Sequence, residues 1–294
     1  MGLEVVSRIV VVGLGIGSIY ALIAIGLNLL WGTMRILNIA HGSLLMLGAY
    51  TAYWLFTLYR VSPFHSALIA AFGCAVLGLV VYKVLFAGSL RTAASMESLE
   101  ANSLLIFFGV VMIIDNAASL IWGADVRTYS YLTTRITLLG TPIGLNRLIT
   151  ALISIAACLG LFFYLQKTLF GKAIRAVIQD KDAAQLVGVD TRRVYVFCFT
   201  VAFALAGLSG TLLSMLYAFT PFTGMSYTIY AFIVIILGGL GNILGTLIGG
   251  LVLGLVVTLG IYLTTPGYGF IIMYLLFILV ILFMPAGILG KAIR

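Results

Sequence analysis

The sequence predicts an all-α protein, a polytopic bundle of transmembrane helices. Only 8% of its 294 residues are charged and 63% are hydrophobic, whereas a soluble domain carries about 25% charged residues. The mean hydropathy is +1.23, and long apolar runs recur along the whole chain. Because too few polar side chains are present to cover a water-exposed surface, lipid must cover most of the protein.

Nine apolar runs reach the length of about 20 residues with which a helix crosses the hydrocarbon, and eight or ten are the neighbouring counts. In chain order, the predicted spans cover residues 9–30, 38–57, 64–86, 102–123, 146–166, 193–218, 225–243, 246–264 and 268–288. The seventh is the weakest, because its apolar part runs into the glycines of "LGGLGNILG". It either crosses fully or forms a broken, re-entrant segment, which is stable only where protein or water covers the backbone.

The basic residues predict the orientation, since cytoplasmic loops carry an excess of Lys and Arg. One arrangement of the nine spans places eleven basic residues inside, namely Arg35, Lys83, Arg91, Lys167, Lys172, Arg175, Lys181, Arg192, Arg193, Lys291 and Arg294. Five then lie outside, namely Arg8, Arg60, Arg127, Arg135 and Arg147. This arrangement puts the N-terminus outside and the C-terminus in the cytoplasm. The scattered net charge of +8 therefore indicates topology, and we expect no nucleic-acid partner.

Glycines spaced four residues apart form three sets: Gly13 with Gly17, Gly250 with Gly254, and Gly241 with Gly245 and Gly249. Each set is expected to line one groove along a helix, where a neighbouring helix approaches closely. One interpretation is that these glycines serve only the packing of helices. The other is that glycines free the backbone where a helix breaks beside a transport path. This second interpretation makes Gly239, Gly241 and Asn242 candidate path residues.

Polar residues inside the spans are further candidates for a translocation path. Asn38, His41 and Ser43 lie at the inner end of the second span, and on a helix Asn38 and His41 share one face. Asp115 and Asn116 lie well inside the fourth span. A charge at the bilayer centre costs about 2.5–3.5 kcal/mol, so Asp115 is expected to face the bundle interior. These side chains either line a polar path or hold the bundle together by interhelical hydrogen bonds.

The sequence predicts no catalytic residues, no metal site and no cofactor. It has two histidines and no HExxH, GxSxG or GxxxxGK[ST] motif. The three cysteines, Cys74, Cys158 and Cys198, lie inside apolar runs, where free thiols behave as small hydrophobes. The protein is therefore expected not to be an enzyme.

One polar segment, "GKAIRAVIQDKDAAQLVGVDTRRV" at residues 171–194, interrupts the apolar sequence. Residues 167–178 can continue the preceding span as an amphipathic helix with Ile174, Val177 and Ile178 on one side. Asp180 or Asp182 can then cap a second short helix that presents Ala183 and Ala184, with Asp182 and Gln185 spaced as a capping box. Gly188 fits the end of that helix, and Asp190 or Thr191 the start of the next span. The segment is either a solvated connector or a helical knob that docks into a partner.

These motifs resemble those of one family. The polar segment resembles the cytoplasmic EAA-type coupling loop of ATP-binding-cassette importer permeases, specifically the branched-chain amino-acid (LivH-type) family. The matching positions are Gly171, Lys172, Arg175, Gln179, Asp180, Asp182, Ala183, Ala184 and Gly188. Residues 17–50, with Asn38, Ala40, His41 and Gly42 as their core, and the glycine-rich residues 237–256 resemble two further signatures of that family.

The resemblance implies a single transmembrane permease domain over residues 1–294, with a coupling loop at about 167–192. Such a subunit of the bacterial cytoplasmic membrane forms half of a pathway for a small solute, with branched-chain amino acids as the expected solute. It implies a second permease subunit (a related chain or a second copy), two ATPase subunits, and an extracytoplasmic solute-binding protein docking around Asp125, Arg127 and Arg135. The alternative is an ATP-independent channel or an ion-coupled secondary transporter that uses Asp115.

Overall fold

The computed structural model describes residues 3–92, 95–138, 140–264, 266–284 and 287–289. Its helices are α1 (Leu3–Met34), α2 (His41–Tyr59), α3 (Pro63–Val81), α4 (Ala87–Thr92), α5 (Met96–Trp122), α6 (Leu145–Lys167), α7 (Leu169–Gln179), α8 (Lys181–Leu186), α9 (Thr191–Ser214), α10 (Gly224–Gly238), α11 (Ile243–Leu263) and α12 (Pro266–Phe283). A π-helical turn, Tyr82–Phe86, joins α3 to α4, and a 3-10 turn, Pro221–Thr223, leads into α10. The all-α class is confirmed.

A small β-hairpin precedes α6 and was not predicted. Its strands, β1 (Arg135–Leu138) and β2 (Thr141–Gly144), are antiparallel, with Arg135 opposite Gly144 and Leu138 opposite Thr141. Gly140 has a positive φ of 78° in the turn, a conformation that glycine adopts without steric cost.

Seven helical segments of the described chain are long and apolar enough to cross a membrane. They are α1, α3 with the turn that follows it, α5, α6, α9, α10 with its 3-10 turn, and α11. The other two predicted spans fall on α2 and α12, and within α12 Ile271–Phe283 forms a shorter apolar helix. The polytopic membrane class is thus confirmed, while the count of nine spans and the orientation of the termini stay predictions.

Helix α2 is less hydrophobic than the seven segments that are apolar enough to cross a membrane, because it carries His41, three tyrosines and Trp54. It packs against α3 and α9, and its buried residues run from His41 to Ala52. Polar and aromatic side chains are tolerated at membrane depth where protein rather than lipid surrounds them. The part of α2 from His41 to Ala52 is therefore mostly interior, whereas Leu58 and Tyr59 at its end are exposed.

The chain divides into two compact sets of residues. The first set comprises Met1–Ile25, Ser130–Leu159 and Tyr230–Arg294, and the second set comprises Gly26–Tyr129 and Gly160–Ile229. Each set combines segments that are distant in sequence.

In the second set, α2, α3 and α9 touch through their backbones. A Cβ atom added to Gly48 would meet the carbonyl of Gly207, and one added to Gly210 would meet the carbonyl of Leu45. A Cβ added to Gly207 would lie 2.6 Å from the carbonyl oxygen of Ala70. Glycine at these positions lets helices approach to a distance that any side chain would prevent.

In the first set, glycines of α1 face glycines of α11, which confirms the packing interpretation. A Cβ added to Gly17 would lie 2.7 Å from the Gly250 carbonyl oxygen, and one added to Gly13 would lie 3.3 Å from the Gly254 carbonyl oxygen. The predicted single groove through Gly241, Gly245 and Gly249 is wrong, because Gly241 lies in the turn before α11 with a φ of 78°.

Candidate functional site

The polar segment begins with a sharp turn after α6. The Thr168 hydroxyl donates to the carbonyl of Tyr164 (2.8 Å) and accepts from the N–H of Gly171 (2.9 Å), so that Thr168 caps α7. A Cβ on Gly171 would lie 2.6 Å from backbone atoms of Leu165 and Tyr164, so the turn requires glycine there. The prediction that residues 167–178 continue the preceding span is therefore wrong, since α7 is a separate helix.

Side-chain caps fix the rest of the segment. An Asp180 carboxylate oxygen accepts from the N–H groups of Asp182 (2.9 Å) and Ala183 (3.0 Å), which starts α8. Asp190 caps α9 by accepting from the N–H of Arg193 (3.1 Å), and Gly188, at a φ of 86°, lies between the two helices. Of the predicted capping alternatives, Asp180 and Asp190 are correct. The Asp182–Gln185 box is wrong, because the Gln185 amide donates to the Thr191 hydroxyl instead (2.9 Å).

The surface of the segment differs from the predicted one. Ile174 and Val177 of α7 are buried, as the amphipathic pattern predicts. Helix α8 exposes Ala183, as predicted, but Ala184 is buried. The large apolar residues exposed at the end of α8 are Leu186 and Val187, at 89% and 80% exposure. We call these two residues the apolar tip. Sequence reasoning missed them, although two apolar residues next to a helix-ending glycine in a charged segment are a readable signal.

Most of the other predicted coupling residues of the segment are exposed. They are Lys172, Gln179, Asp180, Asp182 and Gly188. Arg175 is half-buried and donates from its guanidinium to the amide oxygen of Gln166 (2.8 Å). The segment therefore combines a backbone ordered by side-chain caps with an apolar tip and exposed polar residues.

A second group of predicted residues lies inside the second set. Asp115 of α5 is buried, and its carboxyl group lies close to the Ser43 hydroxyl of α2, which is also buried. One carboxyl oxygen of Asp115 has no hydrogen-bond partner among the residues that the structure describes. The expectation that Asp115 faces the bundle interior is confirmed, and its side chain lies where α5 contacts α2.

Asn38 does not share a helical face with His41, contrary to the prediction. Residues 35–40 form an irregular segment between α1 and α2, held by Thr228 of α10. The Thr228 hydroxyl accepts from the N–H of Gly42 (2.9 Å) and lies 3.2 Å from the carbonyl oxygen of Ile39. Asn38 and His41 are both fully buried, and the Asn38 amide makes no hydrogen bond to the described residues. The segment thus combines irregular backbone with a buried amide that no described residue satisfies, and its role in a path stays a prediction.

Asn116 points away from this group. Its side chain is exposed, and its amide donates back to the carbonyl of Met112 on the same helix (2.7 Å). Successive residues on a helix lie about 100° apart, so Asn116 cannot join Asp115 on one face. Its role in the path stays a prediction that the geometry of α5 does not favour.

The remaining predicted path residues belong to the first set. Gly239 and Gly241 have positive φ values of 102° and 78°. They lie in the turn that separates α10 from α11. Asn242 caps α11 by accepting from the N–H of Gly245 (2.9 Å), and its amide donates to the carbonyl of Leu289 (2.8 Å). The predicted helix break at "LGGLGN" is therefore present.

Among the described residues, no group of three or more His, Cys, Asp or Glu side chains is placed to hold a metal ion. The three cysteines are buried free thiols.

The chain matches the sequence profile of the branched-chain amino acid transport system permease component family over residues 9–281. It is 30% identical to the Escherichia coli K12 high-affinity branched-chain amino acid transport system permease protein LivH, over 95% of this chain and 94% of that protein. It is 31% identical to the probable branched-chain amino acid transport permease protein LivH of Methanocaldococcus jannaschii, over 93% and 89% of the two chains. It is 28% identical to the Pseudomonas aeruginosa permease protein BraD, over 95% and 94%. No solved structure matches the chain.

Proposed function

The chain belongs to the family of branched-chain amino acid transport system permease components, and from that membership we propose that it forms one half of the transmembrane pathway of an ATP-binding-cassette importer. The observation that carries the proposal is a match over nearly the whole chain to permease proteins of the same length class. The proposed solutes are branched-chain amino acids, because the relatives are named for their transport. The proposed location is the cytoplasmic membrane.

A second permease subunit, related or identical, completes the pathway in this proposal, and a soluble binding protein delivers the amino acid outside. ATP hydrolysis belongs to two partner subunits. This division of labour agrees with the sequence, which has no phosphate-binding loop. The family membership favours it over an ion-coupled secondary transporter or an ATP-independent channel.

We further propose that residues 167–192 couple the permease to the ATPases. Three side-chain caps, at Thr168, Asp180 and Asp190, give the loop a fixed shape, which a mere connector does not need. The exposed apolar tip is costly in water unless a partner covers it. Because α6 and α9 flank the loop, a rigid movement of a docked ATPase would shift two membrane helices together.

The proposal is tested by purifying the tagged chain from its native membrane and reconstituting what comes with it. We expect an ATPase to co-purify, and we expect uptake of labelled leucine into vesicles to require ATP and the binding protein. Uptake that runs on a proton gradient, with no ATPase in the purified complex, would establish the secondary-transporter alternative instead.

Within the pathway, we assign a polar lining to Asn38, His41, Ser43 and Asp115. We expect Asp115→Asn to reduce leucine uptake about tenfold, because the amide oxygen still accepts a hydrogen bond but without the added strength that a charged acceptor gives, while the complex still assembles. Uptake in vesicles and gel filtration of the complex measure the two outcomes. Asn116→Ala is the matched control on the exposed face of α5 and should leave both unchanged. Loss of assembly in Asp115→Asn would give Asp115 a purely structural role.

A further inference from the structure

An apolar pocket of about 560 Å³ lies in the second set, between α2, α3 and α5. It is found near the last turn of α2 and the last turn of α5. Helix α2 contributes Tyr50, Thr51 and Trp54 to its lining, α3 contributes Ile69, and α5 contributes Ile121 and Trp122. Neither the family membership nor the proposed pathway accounts for it.

The mouth of the pocket opens on apolar surface. Of its lining residues, Leu58 is 62% exposed, Ile69 51% and Ile121 70%. The neighbouring residues Leu68 and Leu120 on the same helices are also exposed and apolar. Since α3 and α5 are long and apolar enough to cross the membrane, hydrocarbon covers such a surface. A molecule that enters the pocket from this side therefore comes from the bilayer.

Two lining residues carry polar atoms that are closed off from the pocket. The Tyr50 hydroxyl and the Trp54 indole nitrogen are buried and have no hydrogen-bond partner within the described part of the chain. Tyr50 is itself fully buried, and its ring is fixed by stacking on Trp122 (4.6 Å between centroids) and by an edge contact with Phe219 (5.1 Å). These residues therefore contribute aromatic ring surface to the pocket wall.

A cationic group lies beside these residues. The Arg127 guanidinium carbon is 5.9 Å from the ring centroid of Trp54, and one of its terminal nitrogens donates to the carbonyl of Trp122 (3.0 Å). Its ion pair with Asp125 is long, at 3.5 Å, and the buried Nε of Arg127 bonds to none of the described residues. The guanidinium therefore retains donor capacity for an oxygen acceptor.

From these features we infer that the pocket binds a membrane phospholipid. One acyl chain fills the apolar space over the Tyr50, Trp54 and Trp122 side chains, and the phosphate accepts a hydrogen bond from the partly exposed Arg127 guanidinium. A zwitterionic amino acid fits less well, because it does not approach through hydrocarbon and its ammonium group would find no partner in this lining. Trp and Tyr side chains commonly occupy the level of lipid headgroups, which agrees with this orientation of the lipid.

Tryptophan fluorescence tests the inference, because two of the three tryptophans of the chain line the pocket. The full chain carrying Trp31→Phe is reconstituted in vesicles of phosphatidylethanolamine and phosphatidylglycerol with brominated acyl chains, which are then diluted with unbrominated lipid. A chain with Leu68→Trp, whose own tryptophans are all replaced by Phe, reports the ordinary lipid-facing surface. We expect the pocket to bind phospholipid about tenfold more tightly than that surface, the factor that about one net hydrogen bond supplies.

Filling the pocket provides the matched comparison. Thr51→Phe, made in the Trp31→Phe chain, should abolish the tighter component of quenching, whereas Leu68→Phe on the exposed face of α3 should leave it unchanged. Both variants are compared with their parent by gel filtration to check that they fold. If Thr51→Phe misfolds, the dilution series with the Trp31→Phe chain, whose pocket is unfilled, tests the inference by itself. Equal affinity at pocket and surface would overturn the inference. Unquenched pocket tryptophans, which indicate a protein subunit over the mouth, or relief of quenching by leucine, would also overturn it.

Discussion

Leu186→Glu is expected to abolish ATP-dependent leucine uptake while the protein still inserts into the membrane. Leu186 is 89% exposed and lies outside the apolar helices, so its replacement leaves the fold of the permease intact. In the proposed complex the apolar tip is buried against an ATPase. Loss of a buried apolar anchor from an interface costs about 2 kcal/mol or more, and a buried unpaired carboxylate adds to that cost. Uptake should therefore fall by more than about tenfold.

The experiment measures uptake, ATPase activity and subunit composition in the same reconstituted complex. Leu186→Met, which keeps the apolar surface, is the matched control and should transport at a rate close to the normal one. We expect Leu186→Glu to release the ATPase or to leave its activity unresponsive to the binding protein. Normal uptake by Leu186→Glu would remove the apolar tip from the coupling surface.

Among substitutions of a glycine by alanine, Gly210→Ala is expected to lower the stability of the protein the most. Its new methyl group would meet the carbonyl of Leu45, and the backbone nitrogen of Ala49 would lie 3.1 Å away. Backbone atoms cannot swing aside as a side chain does, so α2 and α9 must separate. Overpacking of this kind costs about 1–3 kcal/mol, which lowers Tm by several degrees.

The buried thiols provide the measurement. Cys74, Cys158 and Cys198 are buried, so a thiol-reactive fluorescent dye reports unfolding as the detergent-solubilised protein is heated. Gly73→Ala is the matched control, because no atom lies within 4 Å of a Cβ added there, and its Tm should stay the same or rise slightly. Equal Tm values for the two variants would contradict the tight packing of α2 on α9.

The features that depend on composition or on neighbouring residues were predicted from the sequence. The membrane class follows from composition, and the caps at Asp180 and Asp190 and the helix end at Gly188 follow from short-range hydrogen bonding and backbone preference. Asp115 was expected to face the interior because an unpaired charge in lipid is costly. The helix break before Asn242 follows from its glycines.

The features that were missed depend on distant parts of the chain. Asn38 is not helical, and Thr228, far away in sequence, holds Ile39 and Gly42, which follow Asn38 in the chain. Ala184 rather than Leu186 is buried, because the packing of α8 sets which of its faces is covered. The turn at Thr168 depends on the close contact of Gly171 with Leu165, which no periodicity reveals.

The composition of α2 has a consequence for how the protein is made. A segment rich in tyrosine, with a histidine at its start, gains too little from partitioning into lipid to stay there alone during synthesis. Its residence in the bilayer must come from partners, namely α3, which follows it directly, and α9, which is translated more than a hundred residues later. The packing of α2 is therefore complete only after α9, in the second half of the polypeptide, has been made.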